Sequence, residues 1–192
     1  MMKDLNKGNI LYEVVNENDE IIGLAERDKI LREGLLRRII HVWFFTPKGE
    51  LIFQHRAPGQ RMFPDLLDAT VGGKVERGES YEETALKETE EETGLVLRIE
   101  DLIPVAKFRI DFMDETSNFR NNIFTQQYIY CYRGDVKDLR IEEEKILGFE
   151  AIPIDKLFNL TEEEKKRFIM PALSSPEFLI LINKIRILLA NA

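Results

Sequence analysis

The sequence predicts one mixed α/β (α+β) domain, and three observations support this fold class. Segments with strand-like alternation are interspersed with segments of helical period, which is typical of a sheet covered by helices. The chain has 192 residues, the length of one domain or of one domain with extensions. It contains 44% hydrophobic and 32% charged residues and no internal repeat or convincing linker, which excludes wholly disordered, collagen-like and small disulfide-rich proteins.

An N-terminal hairpin and a helix are the first predicted elements. Two extended runs, 13–15 and 21–23, flank the turn-forming residues 16–19. The segment that follows from Arg27 begins as a helix. We therefore expect residues 10–36 to form an N-terminal extension of a single domain that includes all of residues 1–192.

The core, expected at about 37–158, is predicted to consist mainly of strands. Residues 39–45 are β-branched and aromatic, and a turn at 47–49 connects them to a partner strand at 51–55. The other predicted strands are 66–75, which is interrupted by two glycines, 95–99, 105–112, 124–132 and 146–154.

Two kinds of segment lie outside these strands. The polar residues 113–122 are predicted to form a loop at the rim of a substrate site. Helices at 161–172 and 177–190 are predicted within a C-terminal region of 160–192, the last one as a docked helix or an oligomer contact.

The charge balance restricts the kind of partner. The chain has 35 acidic and 27 basic residues and a net charge of −8, which argues against binding to a nucleic acid polymer, because that affinity comes from lysine and arginine. Phosphate is still possible as a substrate when a divalent cation lies between it and the acids. A single cysteine, Cys131, and the absence of a signal-like or membrane-spanning apolar run lead us to expect a cytoplasmic protein that does not bind a membrane.

A helix with its own start and stop signals is predicted from Ser80. Ser80 and Glu83 have the spacing of a capping box, which satisfies free N–H groups of the first turn. Gly94 lies just past the last turn, where a left-handed residue is expected. This helix is therefore bounded by local sequence alone.

Three acids of this helix, Glu88, Glu91 and Glu92, have the spacing i, i+3, i+4, which puts them on one arc beside the apolar face. Like charges at these spacings repel, and the helix dipole disfavours negative charge near the C-terminus, so something positive should compensate. Because the arc borders the core, we expect the carboxylates to be partly buried, and buried carboxylates need partners. Oxygen ligands without a nearby histidine or thiol suit Mg²⁺ or Mn²⁺ better than zinc.

A solvated acidic face is the alternative interpretation of this helix. Lys87 can reach Glu83, Glu90 and Glu91 at helical spacings and would neutralise them. This alternative suits Glu82, Glu83 and Glu90, which project toward solvent, and suits the three-acid arc poorly.

The loop before the helix, residues 73–80, has the spacing of a Walker A loop. Glu79 stands where the phosphate-binding lysine would be, and a carboxylate there would repel a phosphate. A nucleotide P-loop is therefore excluded. The same carboxylate would help to hold a metal or to orient a water.

The stretch from Gly73 to Leu95 resembles the Nudix box, whose pattern is G-x5-E-x7-R-E-U-x-E-E-x-G-U, where U is a bulky aliphatic residue. The fixed positions are matched by Gly73, Glu79, Glu88, Glu91, Glu92, Gly94 and Leu95. Two positions depart from the pattern, because Lys87 replaces the arginine and Thr89 replaces the aliphatic residue. Lys87 keeps the charge without the planar fork of arginine, so we expect looser orientation of the neighbouring carboxylates.

This resemblance implies an α/β/α sandwich around a mixed sheet. It also implies hydrolysis of a nucleoside diphosphate linked to another moiety, with Mg²⁺ or Mn²⁺ as cofactor. Transferred position by position, the metal ligands are Glu88, Glu91 and Glu92, with the backbone carbonyl of Gly72 in addition. Glu91 and Glu92 are thereby also catalytic candidates, and Glu79 would act through a water at the metal or through the helix loop.

Three further residues complete the predicted site. Many relatives in this family take another glutamate from a loop after the box, and Glu143 in the segment 141–149 is the expected catalytic residue, with a solvated acidic turn as the alternative. Arg56 and Arg61 flank the loop before the Gly-Gly strand and are expected to bind substrate phosphate. An ordinary surface charge is the alternative for either arginine.

Residues 10–158 also resemble the branch that contains isopentenyl diphosphate isomerase and its hydrolase-like neighbours, on segments such as 45–51 and 54–57. Where the isomerases carry an essential cysteine, this chain has Gly72. Where they carry metal-binding histidines, it has Lys74 and Arg37. Hydrolysis is therefore favoured, and an isomerase-like enzyme and a non-catalytic nucleotide-binding module are the alternatives.

The expected substrate is a small-molecule diphosphate, and its identity depends on loops without a readable motif. Phe63, Phe119 and Phe124 are candidates for stacking on a base, with ordinary packing as the alternative. His41, His55 and Cys131 lie in apolar strands and are interpreted as packed residues. A homodimer through the N-terminal hairpin and the final helix is a further expectation.

Overall fold

The structure of the protein is a computed structural model, which describes residues 10–114, 117–142 and 144–191. It begins with the predicted hairpin, formed by β1 (Leu11–Val15) and β2 (Ile21–Glu26), and continues into α1 (Arg27–Glu33). Gly34 ends α1 in the left-handed conformation at φ 64°. The N-terminal hairpin and helix are therefore confirmed.

Seven strands form the central mixed sheet within the described residues. They are β3 (Arg37–Phe45), β4 (Glu50–Arg56), β5 (Leu67–Asp68), β6 (Val71–Lys74), β7 (Ile103–Asp114), β8 (Phe119–Cys131) and β9 (Ile146–Pro153). The order is β5-β4-β3-β8-β7, with β6 paired to β3 and β9 paired to β4. β3 runs parallel to β8, and the other named pairs are antiparallel.

Helices cover both faces of this sheet, because β3 is apolar on both sides. Ile40, Val42 and Phe44 face the core cluster that contains Ala85 of α2 (Tyr81–Thr93). Trp43 and Phe45 face the cluster that includes buried residues of α6 (Pro176–Ala190). This alternation confirms the mixed fold class and the sandwich arrangement.

Two sequence predictions in the middle of the chain are wrong. Residues 95–98 do not form a strand and precede a 3₁₀ turn at Ile99–Asp101. Their apolar alternation arises because Leu95 and Leu97 pack on the α2 side of the core, without pairing to a neighbouring strand in the described residues. The predicted loop 113–122 belongs mainly to β7 and β8. The sequence predicted a loop because residues such as Asn121 and Asn122 are polar, but both side chains are buried and hydrogen-bonded.

The C-terminal region also differs from its prediction. α3 (Ile154–Leu157) follows β9, and the expected helix 161–172 is replaced by α4 (Glu162–Lys165) and α5 (Met170–Leu173). The chain leaves the helical path between them because Leu67 donates its N–H to Arg167 O at 2.7 Å, and Ile169 donates to Leu67 O at 3.2 Å. The final helix is confirmed as α6.

The turn of the hairpin is tied to the loop that precedes α2. Asp19 forms ion pairs with Arg38 at 3.2 Å and with Lys107 at 2.6 Å, and it accepts a hydrogen bond from the Tyr81 hydroxyl at 3.1 Å. Gly78 N–H donates to Glu13 Oε1 at 3.0 Å. The N-terminal extension thus holds the start of the helix that carries the acids.

Candidate active site

The helix α2 is capped as the sequence predicts. Glu83 N–H donates to Ser80 Oγ at 3.1 Å and Ser80 N–H donates to Glu83 Oε2 at 2.8 Å, which completes the capping box. Gly94 ends the helix at φ 76° and donates its N–H to Glu90 O at 2.9 Å. Local sequence therefore sets both ends of the element that carries the acids.

Glu79 is held inside the loop before α2. Lys87 Nζ donates to Glu79 Oε1 at 2.6 Å, and Thr84 Oγ1 donates to Glu79 Oε2 at 2.8 Å. Burial alone would raise the pKa of Glu79, but these hydrogen bonds outweigh it and lower the pKa. Lys87 also pairs with Glu76 at 3.2 Å, so its partners are loop acids and not the helical acids that its spacing suggests.

The three acids of the arc have different environments. Glu92 is buried, and its Oε2 accepts a hydrogen bond from Gly72 N–H at 3.2 Å. Glu88 is half-buried against β6, where a Cβ added at Gly73 would lie 2.3 Å from Glu88 Cγ. Glu91 is exposed, so the expectation that all three would be partly buried is wrong for this residue. The apolar surroundings cover only the side of the arc that faces β6.

Burial raises the pKa of Glu92 to about 8, with a further contribution from the charge of Glu88, while the Gly72 N–H opposes the shift. Burial also raises the pKa of Glu88 to about 7, where Lys145 opposes the shift and Glu91 adds to it. Both carboxylates are thus placed where their ionised forms lack sufficient partners.

Two cationic residues supply the positive compensation predicted for this end of α2. Arg140 Nη2 donates to the carbonyl oxygens of Glu90 at 2.9 Å and Glu91 at 2.6 Å, which satisfies groups left free at the helix C-terminus. Lys145 lowers the pKa values of Glu88 and Glu92 and forms an ion pair with Glu142 at 3.0 Å. Neither residue was a sequence candidate.

The residues present fit a divalent cation in part. Glu88 and Glu92 offer hard oxygen atoms whose mutual repulsion a cation would relieve. Within residues 10–114, 117–142 and 144–191, however, no three His, Cys, Asp or Glu side chains are grouped closely enough to hold a metal ion. Glu88 and Glu92 therefore fit the predicted metal, and the third carboxylate is not brought to them.

A cavity of about 340 Å³ opens beside these two acids. Its lining combines Glu88, Glu92 and the Gly72-Gly73 backbone with an apolar side. The apolar residues are Ile39, Met62, Phe63, Ile110, Phe112, Ile123 and Ile169. This volume and composition are typical of a small-molecule site.

Basic residues form another part of the cavity lining. Arg27, Arg37, Lys74, Arg56 and Lys145 all contribute to it. Burial lowers the pKa of Arg37 to about 10 and that of Lys74 to about 8, and the charge of Arg27 adds to both shifts. The only signal in the sequence was that Arg37 and Lys74 replace histidines of the isomerases. Arg27 gave no signal, because it reaches the site through the position of α1.

The two arginines predicted to bind phosphate are engaged elsewhere. Arg56 lines the cavity, but its Nη1 bonds Asp68 Oδ2 at 3.1 Å, and its Nε and Nη2 donate to the carbonyls of Phe63 at 3.1 Å and Met62 at 3.0 Å. Arg61 lies outside this lining. Its Nη1 donates to Asp28 Oδ1 at 2.7 Å, and its Cζ lies over the Phe119 ring, 5.3 Å from the ring centroid. Their role toward substrate stays a prediction.

The remaining candidates are distributed as follows. Glu79 and Glu91 lie outside the cavity lining, and Glu143 lies outside the described residues. Phe63 lines the cavity and contacts Phe112 with ring centroids 5.8 Å apart, whereas Phe124 lies beneath Lys107.

The histidines and the cysteine have structural surroundings. His41 lines the cavity and packs edge-on to Trp43, and burial lowers its pKa. His55 bonds Asp65 at 2.8 Å. Cys131 is a half-buried free thiol at the end of β8 and packs against the core cluster on the α6 side.

Comparisons with known proteins identify one family. Residues 35–173 match the family model described as NUDIX domain. An uncharacterized Nudix hydrolase of Listeria monocytogenes is 32% identical over 147 residues, which is 76% of this chain and 81% of that protein. One of Streptomyces coelicolor is 39% identical over 84 residues, or 44% of this chain and 46% of the relative, so the match spans about half of that protein.

A solved structure shows the same fold. The crystal structure of DR0079 from Deinococcus radiodurans has a TM-score of 0.61 and 27% sequence identity, and the match covers 78% of this chain and 87% of that one. In the described part of the chain, no helix combines the length and the apolar character needed to cross a bilayer.

Proposed function

We propose, because this chain belongs to the Nudix hydrolase family, that it hydrolyses the diphosphate linkage of a small molecule by attack of water at phosphorus, with Mg²⁺ or Mn²⁺ as cofactor. The Nudix hydrolase relatives indicate an enzyme that acts on pyrophosphate bonds. The proposed substrate class is a nucleoside diphosphate linked to another moiety.

One observation carries the proposal. Glu88 and Glu92 both line a cavity large enough for a small molecule, where burial raises the pKa of each carboxyl group and the charge of Glu88 adds to the shift of Glu92. The chemistry that a divalent cation supplies when bound is neutralisation of phosphate charge and activation of water near neutral pH.

The chain's own groups then have separate roles. Glu88, Glu92 and Glu91 are the proposed metal ligands, with the carbonyl of Gly72. Glu79 keeps the loop before α2 in place through Lys87 and Thr84, which supports the second of the two roles expected for it.

The proposed catalytic residues are two of these ligands, Glu91 and Glu92, together with Glu79 and Glu143. Glu143 is proposed to receive the proton of the attacking water. Arg56 and Arg61 are proposed to bind substrate phosphate, and the apolar side of the cavity is proposed to hold the organic part of the substrate.

The experiment is a screen of nucleoside diphosphate derivatives with Mg²⁺ or Mn²⁺ and identification of the products. Glu92→Gln is expected to lower kcat/KM by about 10²- to 10³-fold, as when one stabilising group is lost from an active site. Glu90→Gln is the matched control, because Glu90 is exposed on the same helix. No hydrolysis by the wild type, or equal activity of Glu92→Gln, would overturn the corresponding assignment.

Further properties belong to the same proposal. The single cysteine favours a reducing, cytoplasmic location. A homodimer is proposed through the N-terminal hairpin, whose outer side exposes Ile21 and Ile22, and the final helix. One domain, with its core at 37–158, is the proposed organisation.

A further inference from the structure

Three basic side chains lie together on the wall of the cavity. Arg27, Arg37 and Lys74 line it, and the same three residues border a smaller adjoining space of about 30 Å³. They come from α1, β3 and β6, so the fold and not the local sequence brings them to one place. Their charges oppose one another, since Arg27 contributes to lowering the pKa of Arg37.

The described part of the chain supplies no acidic partner within ion-pair distance of these three residues. Arg37 Nη2 donates to the neutral amide oxygen of Asn121 at 2.5 Å, and the buried Nη1 has no hydrogen-bond acceptor in that same part of the chain. The Lys74 ammonium lies 5.6 Å from the centroid of the Tyr12 ring. A buried guanidinium nitrogen without an acceptor is unfavourable, and this nitrogen on the cavity lining is therefore available to an acceptor atom of a bound molecule.

The other basic side chains of the cavity lining have acidic partners. Arg56 pairs with Asp68 at 3.1 Å, and Lys145 pairs with Glu142 at 3.0 Å. Glu88 attracts Lys74 without forming an ion pair with it in the described residues, and in the proposed function a divalent cation balances Glu88 and Glu92. Arg27, Arg37 and Lys74 are therefore the basic residues of this lining that form no ion pair within the described residues, in a protein whose net charge is −8.

Resting on the proposed function, we propose that Arg27, Arg37 and Lys74 form an anion subsite for a terminal phosphate group, one that is esterified on one side only. An interior phosphate of a diphosphate diester carries one negative charge, whereas a terminal phosphate carries about −1.5 to −2 at neutral pH and three free oxygen atoms. Arginine is suited to bind such a group through its planar fork of donors.

This subsite changes the preferred substrate from a nucleoside diphosphate linked to another moiety to a diphosphate with a free end, such as a nucleoside diphosphate, while the bond that is hydrolysed stays the same. A nucleoside diphosphate sugar has its second phosphate capped by the sugar and fits less well. In the preferred reaction, water adds to one phosphorus and the bridging oxygen leaves with the other phosphate. A nucleoside diphosphate and water thus yield a nucleoside monophosphate and inorganic phosphate.

The first test compares kcat/KM for ADP and for ADP-glucose in the presence of Mg²⁺. Wild-type protein is expected to prefer ADP, and Arg37→Gln or Lys74→Gln is expected to lower the ADP to ADP-glucose ratio by about 10- to 100-fold, as for the loss of a charged hydrogen bond. Lys184→Gln removes the same charge from an exposed position on α6 and is expected to leave the ratio unchanged. An unchanged ratio in both cavity variants would overturn the subsite.

The second test separates the subsite from catalysis. Titration calorimetry with inorganic phosphate in EDTA is expected to show binding to the wild type that weakens with salt and is at least about 10-fold weaker in Arg37→Gln. If Arg37→Gln weakens phosphate binding but the wild type hydrolyses no diphosphate, the result supports the subsite and contradicts the proposed function. Equal phosphate binding in wild type, Arg37→Gln and Lys74→Gln would contradict the subsite even if diphosphates are hydrolysed. Circular dichroism checks folding, and Lys74→Gln carries the test if Arg37→Gln does not fold.

Discussion

At the N-terminal end of α2, Glu79 and Glu83 are bonded to lysine, hydroxyl and backbone partners, whereas toward the C-terminal end Glu88 and Glu92 repel each other beside a cavity. The pKa of Glu79 is accordingly lowered despite some burial, and the pKa values of Glu88 and Glu92 are raised by burial. One short motif therefore contains acids whose ionised forms the fold stabilises and acids whose ionised forms it disfavours. The difference arises from the partners and not from the residue type.

The largest expected consequence is a pH dependence of stability in the absence of metal. An unfolded glutamate ionises near 4.5, whereas folded Glu92 and Glu88 ionise near 8 and 7. Between pH 4.5 and about 8 the folded state binds more protons than the unfolded state. The contribution of Glu88 and Glu92 to the free energy of unfolding should therefore be largest below pH 4.5 and should fall as the pH rises to about 8. The slope is at most about 1.4 kcal/mol per pH unit for each group.

Urea unfolding in EDTA across this pH range measures the effect. Glu92→Gln should flatten the profile, and Mg²⁺ should restore stability to the wild type at the alkaline end more than to the variant. A wild-type stability that rises between about pH 5 and pH 8 would show that Glu88 and Glu92 do not dominate this range.

A second, smaller effect is expected from Gly73→Ala, a substitution on β6 beside Glu88. The added methyl group would lie 2.3 Å from Glu88 Cγ, so Glu88 must move. We expect a loss of about 1–3 kcal/mol in unfolding free energy and weaker stabilisation by Mg²⁺. Gly59→Ala is the control, since a Cβ there meets nothing within 4 Å. Equal stability and metal response in the two variants would contradict the close packing of Glu88 on β6.

The smallest effect is expected at the N-terminal end. Glu79→Gln and Lys87→Met should each destabilise the fold, and the double variant should lose less than the sum, with a coupling of about 1 kcal/mol or below for this partly exposed pair. Thermal denaturation of the four proteins measures the coupling. The stabilisation by Mg²⁺ should persist in Glu79→Gln, and strict additivity would exclude the Lys87–Glu79 pair as a determinant of the loop.

Local sequence predicted α2 well because its ends depend on neighbouring residues. Ser80, Glu83 and Gly94 act within a few positions of one another, and the structure confirms each. The arc of Glu88, Glu91 and Glu92 was predicted from spacing, but spacing alone cannot show which side of an arc another strand covers. β6 covers Glu88 and Glu92 and leaves Glu91 exposed.

Segments without local signals were predicted poorly. Polar residues suggested a loop at 113–122, but Asn121 and Asn122 bond to Arg37 and Gly34, which are distant in sequence. Backbone hydrogen bonds of Leu67 to Arg167 and Ile169 likewise interrupt the helix that was expected at 161–172. Pairing across the sheet decided both segments.

The sequence by itself determined the mixed α/β class, the capped helix α2 and the acids that it carries, because these depend on periodicity and on contacts within one or two helical turns. Only the tertiary structure decided that burial raises the pKa values of Glu88 and Glu92 while Glu91 is exposed. It also decided that Arg27, Arg37 and Lys74 line the same cavity as Glu88 and Glu92. The free energy of a charge depends on what surrounds it in space, and residues from α1, β3 and β6 become neighbours only when the sheet has formed.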